Sequence, residues 1–92
     1  MLRLASLSGD GSLKLGGKDL GAVTYGLEIW QDAGANSGDG ELWGDYDLLW
    51  QAYRAGTVTL QLDGEKTVEI TVNKFDGLQH AYFLTSGRVP GY

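Results

Sequence analysis

Residues 57–74, TVTLQLDGEKTVEITVNK, decide the fold class of this chain. On both sides of Asp63 and Gly64, every second residue is apolar. These residues are Val58, Leu60, Leu62, Val68, Ile70 and Val72. A period of two with β-branched residues predicts an antiparallel hairpin that has one face in a core and one in water. The pattern indicates a structural class and does not by itself indicate a function.

The same stretch predicts the register of the hairpin. Residues paired directly across an antiparallel hairpin lie on the same face of the sheet. We therefore expect Leu62 opposite Val68, and by extension Leu60 opposite Ile70 and Val58 opposite Val72. Each pair of residue numbers has an even sum, which requires a connection of odd length. A loop of three or five residues, or a bulge, is expected instead of the two-residue turn that Asp-Gly otherwise favours.

Outside the hairpin, the pattern predicts further short strands separated by glycine-rich segments. Residues 22–31 form the longest candidate, with Val23, Tyr25, Leu27 and Ile29 on one face and Trp30 on the other. The remaining assignments are a strand at 2–7 ended by 8–11, a flexible polar loop at 32–40, a short strand at 40–44 and a strand at 78–85. The last strand is apolar on both faces, so we expect it to be covered on both sides.

One segment changes to a helical period, which predicts a helix at about 46–55. Its apolar spacing of i, i+3, i+4 and i+7 predicts one packed face of Tyr46, Leu49, Trp50 and Tyr53. Asp45 has the position of an N-cap, and Gly56 has the position of the glycine that ends a helix.

These elements predict a mainly β protein that forms a single domain over residues 1–92. The expected architecture is a small antiparallel barrel or two-layer sandwich of six or seven short strands, with the helix closing one end. Fifteen glycines against one proline are consistent with many tight turns and bulges between short strands.

Charge and composition exclude several classes of partner. The net charge of −5, with seven basic residues, argues against nucleic acid, because that affinity comes mainly from Lys and Arg on phosphates. No stretch approaches the roughly 20 apolar residues of a membrane span, so no membrane contact is expected. The sequence has no cysteine and no signal-peptide pattern, and a soluble cytoplasmic protein is the expectation.

Catalysis and metal binding are not expected. His80 is the only histidine, and a catalytic role would need a nucleophile or carboxylate partner in space, which a sequence alone does not show; a structural role for it is expected. Acidic residues cluster at Asp32, Asp39, Glu41, Asp45 and Asp47, but they do not have the spacing of a calcium-binding loop. The glycine-rich segments lack the lysine of a phosphate-binding loop. We therefore predict no enzyme, no cofactor and no metal site.

The aromatic residues supply the candidate ligand site. Trp30 lies on the polar face of its predicted strand, and Trp43 stands between glycine-rich and acidic segments. Both flank the 32–40 loop, so together with Asp39 and Glu41 they are predicted to frame a shallow binding site. Tyr25, Leu49, Trp50 and Tyr53 are assigned to packing, since a small core needs large side chains.

The expected function is that of a small, non-enzymatic binding or assembly module that acts through a protein partner or through self-association. Small β domains leave edge strands that can pair with another chain, and residues 2–7 are the candidate edge. The alternative is a small-ligand or carbohydrate-binding domain that uses Trp30, Trp43 and the 32–40 loop. A third hypothesis, binding of single-stranded nucleic acid, has suitable aromatic residues and the wrong charge.

Overall fold

The computed structural model describes residues 2–63, 66–87, 89 and 91–92. The elements along the described chain are six strands and one helix. They are β1 (Leu2–Leu15), β2 (Lys18–Asp32), β3 (Ala35–Trp43), α1 (Tyr46–Ala55), β4 (Thr57–Gln61), β5 (Thr67–Phe75) and β6 (His80–Thr85).

The six strands form a closed antiparallel barrel in the order β1-β2-β3-β6-β5-β4. The prediction of a mainly β protein with one short helix is confirmed. Of the two predicted architectures, the structure is the barrel and not the two-layer sandwich. The strands are less uniform than expected, because β1 has 14 residues and β2 has 15. Only residues 12–14 of β1 pair with β4, which closes the barrel.

Alternation along the strands places the apolar side chains inside. On β2, Val23, Tyr25, Leu27 and Ile29 are all buried, as predicted. They pack with buried residues from every other strand, among them Leu13, Leu42, Leu60, Ile70, Val72, Ala81 and Phe83. Burial of this continuous apolar set is the main stabilising contribution to the fold.

The helix closes one end of the barrel, but the face that packs against the core is not the predicted aromatic face. Its bounds are 46–55 as expected, and the N–H of Gly56, which has φ 83°, donates to the carbonyl of Ala52. The buried side chains are Leu48, Leu49 and Ala52. The prediction that Trp50 and Tyr53 pack inside is therefore wrong, and so is the packed position of Tyr46. The aliphatic residues cover the core, while the aromatic ones face outward.

Residue Val89, which follows β6, closes the opposite end. Its side chain is 1% exposed and belongs to the core. Asn36 of β3, the one buried polar residue among the described residues, holds it there. The Asn36 side-chain oxygen accepts from the Val89 N–H at 2.6 Å. Its amide nitrogen donates to the carbonyls of Val89 at 3.3 Å and Tyr92 at 2.7 Å.

In the β4–β5 hairpin the numbers of paired residues have an even sum, as predicted, but the register differs from the predicted one. Leu60 pairs with Val68 and Val58 with Ile70, two positions away from the expected pairs. The N–H of Leu62 donates to the carbonyl of Lys66 at 2.6 Å, which leaves residues 63–65 between them. The exclusion of a two-residue turn is thus confirmed, and residues 64 and 65 lie outside the described part of the chain.

Two segments predicted as loops are strands. Residues 8–11 do not end a strand but continue β1. A Cβ on Gly11 would lie 2.2 Å from the Gln61 carbonyl oxygen and 3.3 Å from the Tyr25 ring. Glycine occupies this position because the neighbouring groups leave no space for a side chain.

The prediction of a flexible loop at 32–40 is also wrong, because Ala35–Trp43 is strand β3. The true turn is at Ala33 and Gly34, whose φ angles of 54° and 83° suit a two-residue hairpin turn. Further along β3, a Cβ on Gly40 would lie 2.7 Å from the Phe83 ring. The glycines of β3 that suggested a loop make room for core side chains from β2 and β6.

The last strand is β6, shorter than the predicted 78–85, and one of its faces is exposed. Ala81 and Phe83 are buried, whereas Tyr82 is 38% exposed and Leu84 is 49% exposed. The expectation that both faces are covered is wrong. The helix packs against β4 and β5 and leaves the outer face of β6 open.

The predicted edge, residues 2–7, lies in β1 and pairs with β2 along one side. Within the described residues, the pairing of β1 with β4 begins at Ser12. The first part of β1 therefore pairs with one neighbouring strand only. The register shifts between Arg3 and Ala5, an irregularity that is common in strands at the edge of a sheet.

Candidate binding surfaces

The four predicted site residues all lie on the outside of the barrel, on one continuous surface of β2, β3 and β6. Direct pairs across β2 and β3 join Glu28 to Asp39 and Gly26 to Glu41. Trp43 pairs with His80 of β6. We call this surface the outer sheet face and define it by Gly26, Glu28, Trp30, Asp39, Glu41, Trp43, His80, Tyr82 and Leu84.

A groove of about 570 Å³ crosses the outer sheet face. Gly26 lies in it, and since this residue has no side chain, the sheet is hollow at that point. Ser6 and Ser8 of β1 border the groove on one side, and Lys74 of β5 borders it on the other. Between them the lining includes Glu28, Asp39, Glu41, Tyr82 and Leu84. The lining thus combines carboxylates with an aromatic ring and an aliphatic side chain.

Each of the three carboxylates in the groove is held by one side chain nearby. The Ser6 hydroxyl donates to Glu28 Oε1 at 3.1 Å, and the Trp30 indole N–H donates to Asp39 Oδ1 at 3.0 Å. A hydrogen bond of 3.2 Å joins His80 Nε2 to Glu41 Oε1. Each of these bonds favours one orientation of its carboxylate.

The acidic groups also lie close to one another. Glu28 and Asp39 are directly opposite across β2 and β3. Like charges in such a pair destabilise a sheet, by roughly 0.2–1 kcal/mol. The nearest cation is Arg3, whose Nη1 is 3.8 Å from Glu28 Oε2, and both side chains of this ion pair are substantially exposed. An ion pair of that kind contributes little.

A row of rings continues the outer sheet face from Trp43 towards β5. Trp43 stacks on His80 with ring centroids 5.1 Å apart and an angle of 15°. His80 meets Tyr82 at 4.6 Å and 60°. The Lys74 ammonium lies 5.5 Å from the centre of the Tyr82 ring. One face of Trp43 is therefore covered by His80, and a cation already occupies the Tyr82 ring.

The two tryptophans do not frame one compact site. Trp30 pairs with Ser37, and Trp43 lies six positions further along β3. This corresponds to a separation of about 20 Å along the strand. Trp30 is half-buried and Trp43 is 41% exposed. The structure places Asp39 and Glu41 on the groove together with Glu28 and Tyr82, which sequence reasoning did not name and which reach it through the register between strands.

A second exposed aromatic surface lies on α1. Tyr46, Trp50 and Tyr53 are 49%, 40% and 42% exposed, and they surround Phe75 of β5. The ring centroids of Tyr46, Trp50 and Tyr53 are 5.6, 6.5 and 6.2 Å from that of Phe75. The guanidinium of Arg54 lies 5.9 Å from the centre of the Trp50 ring. We call Tyr46, Trp50, Tyr53 and Phe75 the helix aromatic surface.

The sequence contained a signal for this surface. Leu48, Leu49 and Ala52 also form a helical stripe, at i, i+1 and i+4. This stripe is purely aliphatic, and Tyr and Trp carry polar groups that favour partial exposure. Comparing the two stripes by chemistry and not by spacing alone would have assigned them correctly.

The surroundings of His80 and of the acidic residues bear on catalysis and on metal binding. The His80 ring bonds to Glu41, stacks on Trp43 and lies tilted against Tyr82. No group of three or more metal-ligating side chains in residues 2–63, 66–87, 89 and 91–92 has a geometry that could hold a metal ion. Over the same residues, no helix has the length and apolar character of a membrane span.

Comparison with protein-family models, with curated proteins and with solved structures finds no match to this chain.

Proposed function

We propose that this chain is a non-enzymatic protein-binding module and that the helix aromatic surface is its contact surface. The observation that carries the proposal is the exposure of three large rings on one helix, each in contact with Phe75. Monomeric proteins rarely expose contiguous apolar patches without a function. Tyr, Trp and Arg are the residue types that most often dominate binding energy at protein interfaces, and Arg54 accompanies Trp50.

The arrangement of the rings also supports binding by a preformed surface. Phe75 is half-buried and belongs to β5, which anchors the centre of the cluster in the barrel. Trp50 and Tyr53 contact each other as well, with centroids 6.3 Å apart. Side chains held in this way lose less conformational entropy when a partner covers them.

The charge of the chain favours a different protein as the occupant over a second copy. Each copy carries a net charge of −5, so two copies repel each other at low ionic strength. A neutral or basic partner has no such penalty. The small-ligand alternative has weaker support, since His80 covers one face of Trp43 and the Trp30 N–H is already donated to Asp39.

The proposal is tested by affinity capture from a lysate of the encoding organism, with Trp50→Ala and Tyr53→Ala compared to wild type. Tyr92→Ala is the matched control, because Tyr92 is 41% exposed and Tyr53 is 42% exposed. We expect a discrete partner that is lost with both helix variants and retained with Tyr92→Ala. Thermal unfolding establishes that each variant is folded.

Two results would contradict the proposal. One is a set of captured proteins that does not change with Trp50→Ala or Tyr53→Ala. The other is concentration-dependent dimerisation in sedimentation experiments that the same two variants abolish, because the occupant would then be a second copy.

A further inference from the structure

We propose that the outer sheet face is a second docking surface and that its occupant is an extended, Lys/Arg-rich segment of a partner protein. This inference concerns a different surface from the helix aromatic surface and goes beyond the proposed function. It rests on three features of the groove: its charge, the exposed side chains of Tyr82 and Leu84, and its shape.

The groove carries an excess of negative charge, since three carboxylates share its lining with one cation, Lys74. Glu28, Asp39 and Glu41 bring three carboxylates to one surface, and two of them are directly opposite across the strands. Each carboxylate has one oxygen engaged by Ser6, Trp30 or His80. An incoming ammonium or guanidinium group would reduce this repulsion and bind to Asp39 and Glu41, because the second oxygen of Glu28 is covered and lies 3.8 Å from Arg3. The net charge of −5 would attract such a segment at long range.

The rings and Leu84 suit the rest of a basic side chain. Lys and Arg bury their methylene stems on apolar surface while the charged group reaches polar atoms. Tyr82 and Leu84 are 38% and 49% exposed and lie beside Glu41 and Asp39, respectively, in the β3–β6 register. Lys74 already lies over the Tyr82 ring, so this ring accepts a cation in the unbound protein.

The shape of the groove favours an extended segment over a small amine. The lining runs from β1 across β2, β3 and β6 to β5, five strands in all. Four spacings between neighbouring strands correspond to about 19 Å. An extended segment of about six residues has the same length. The hollow at Gly26 allows its backbone to approach the sheet, because a Cβ there has only the Trp43 ring nearby, at 3.9 Å.

The charged groups that face the groove also predict which substitution should strengthen binding. Lys74 is the cation that an incoming side chain must displace from Tyr82. The Arg3 guanidinium, 3.8 Å from Glu28, is exposed and more easily displaced. Lys74→Gln should therefore raise the affinity for a basic segment by about two- to fivefold, whereas loss of a groove carboxylate should lower it.

The test uses the full chain and a six-residue peptide of alternating Arg and Ser, with a Glu/Ser peptide and spermine as comparison probes. Binding is followed by ¹⁵N chemical shifts at low salt. We expect the Arg peptide to shift the amides of Gly26, Glu28, Asp39 and Glu41 and the indole N–H of Trp43. Raising the salt to about 0.3 M should weaken binding, because the charges lie near the surface.

Two variants separate the groove from net charge. The triple variant Glu28→Gln/Asp39→Asn/Glu41→Gln should lose at least about tenfold in affinity. Its control, Asp32→Asn/Asp47→Asn/Asp63→Asn, changes the net charge equally at exposed positions outside the groove. Gly26→Val keeps every charge and fills the hollow, and it should also abolish binding. Trp50→Ala, on the helix aromatic surface, should bind the Arg peptide as wild type does.

Several outcomes would overturn the inference. They are no binding of the Arg peptide, equal losses in the groove triple variant and its control, and wild-type affinity in Gly26→Val. Equal or tighter binding of spermine with the same shifts would replace the peptide by a free polyamine. An unchanged or lower affinity in Lys74→Gln would contradict the placement of the cation on Tyr82. None of these results depends on whether Trp50→Ala loses the captured partner.

Discussion

The helix aromatic surface and the outer sheet face both expose aromatic rings, but the rings have different neighbours. On α1 the rings contact one another and Phe75, with Arg54 the charged group over Trp50. On the outer sheet face the ring row ends beside carboxylates that are held in position. Exposure alone therefore does not define a binding chemistry. The contacts of each ring indicate that the first surface suits apolar burial and the second suits cations.

The largest expected effect is a difference in the free energy of unfolding between substitutions on the two sides of α1. Leu49 is fully buried, and Leu49→Ala should lower the free energy of unfolding by about 2–5 kcal/mol, since it leaves a cavity in the core. The adjacent Trp50→Ala should lower it by about 1 kcal/mol or less, because that side chain is 40% exposed. Urea unfolding measures both. Equal losses would mean that Trp50 is a core residue, and the contrast between the two surfaces would fail.

A smaller effect is expected from two glycines in neighbouring strands, Gly40 on the core side of β3 and Gly26 on the outer sheet face. A Cβ on Gly40 would lie 2.0 Å from the Gly26 carbonyl oxygen and 2.7 Å from the Phe83 ring, so Gly40→Ala should destabilise the barrel by at least about 1–3 kcal/mol. Gly26→Ala places its methyl group 3.9 Å from Trp43 and should change stability by less than about 1 kcal/mol. Thermal unfolding of both variants checks this. If Gly26→Ala proves as harmful as Gly40→Ala, the hollow is a packing requirement and not an open groove.

The smallest expected effect is an increase in stability. Asp39→Asn removes the like charge opposite Glu28 and keeps an oxygen to accept from the Trp30 N–H. It should stabilise the protein by about 0.2–1 kcal/mol at low salt. The gain should nearly vanish at 1 M salt. Asp32→Asn is the control, because Asp32 lies opposite Ala35. Destabilisation by Asp39→Asn, measured by urea unfolding, would show that the negative charge itself supports the strand pair.

Local patterns predict the fold class well because they depend on neighbours in sequence. The alternation around Asp63 indicates a hairpin, and Asp45 and Gly56 mark the bounds of α1. The wrong predictions concern positions whose structure depends on residues that are distant in sequence. Gly11 resembles a loop residue until Tyr25 and Gln61 are seen to occupy its side-chain space. The hairpin register was wrong because two alignments with the same parity bury the same side chains.

The candidate site shows the same limit. Trp30, Trp43, Asp39 and Glu41 were grouped because both tryptophans flank the segment that was predicted as a loop at 32–40. In the structure that segment belongs to β3, and alternation along β2 and β3 places the four side chains on the outer sheet face. The groove itself depends on β6 lying beside β3, although α1, β4 and β5 separate them in sequence. One chain provides no information about that pairing, so Tyr82 and its position beside Glu41 could not be inferred.

The hydrogen bonds of Asn36 to Val89 join residues that are 53 positions apart. Contacts across such a separation form only after the entropy of closing the intervening chain has been lost. The Asn36 amide lies on the third strand, and Val89 follows the sixth, so this contact requires both halves of the barrel to be in place. Protection of the Val89 amide against hydrogen exchange during refolding would thus report the moment at which the barrel is complete.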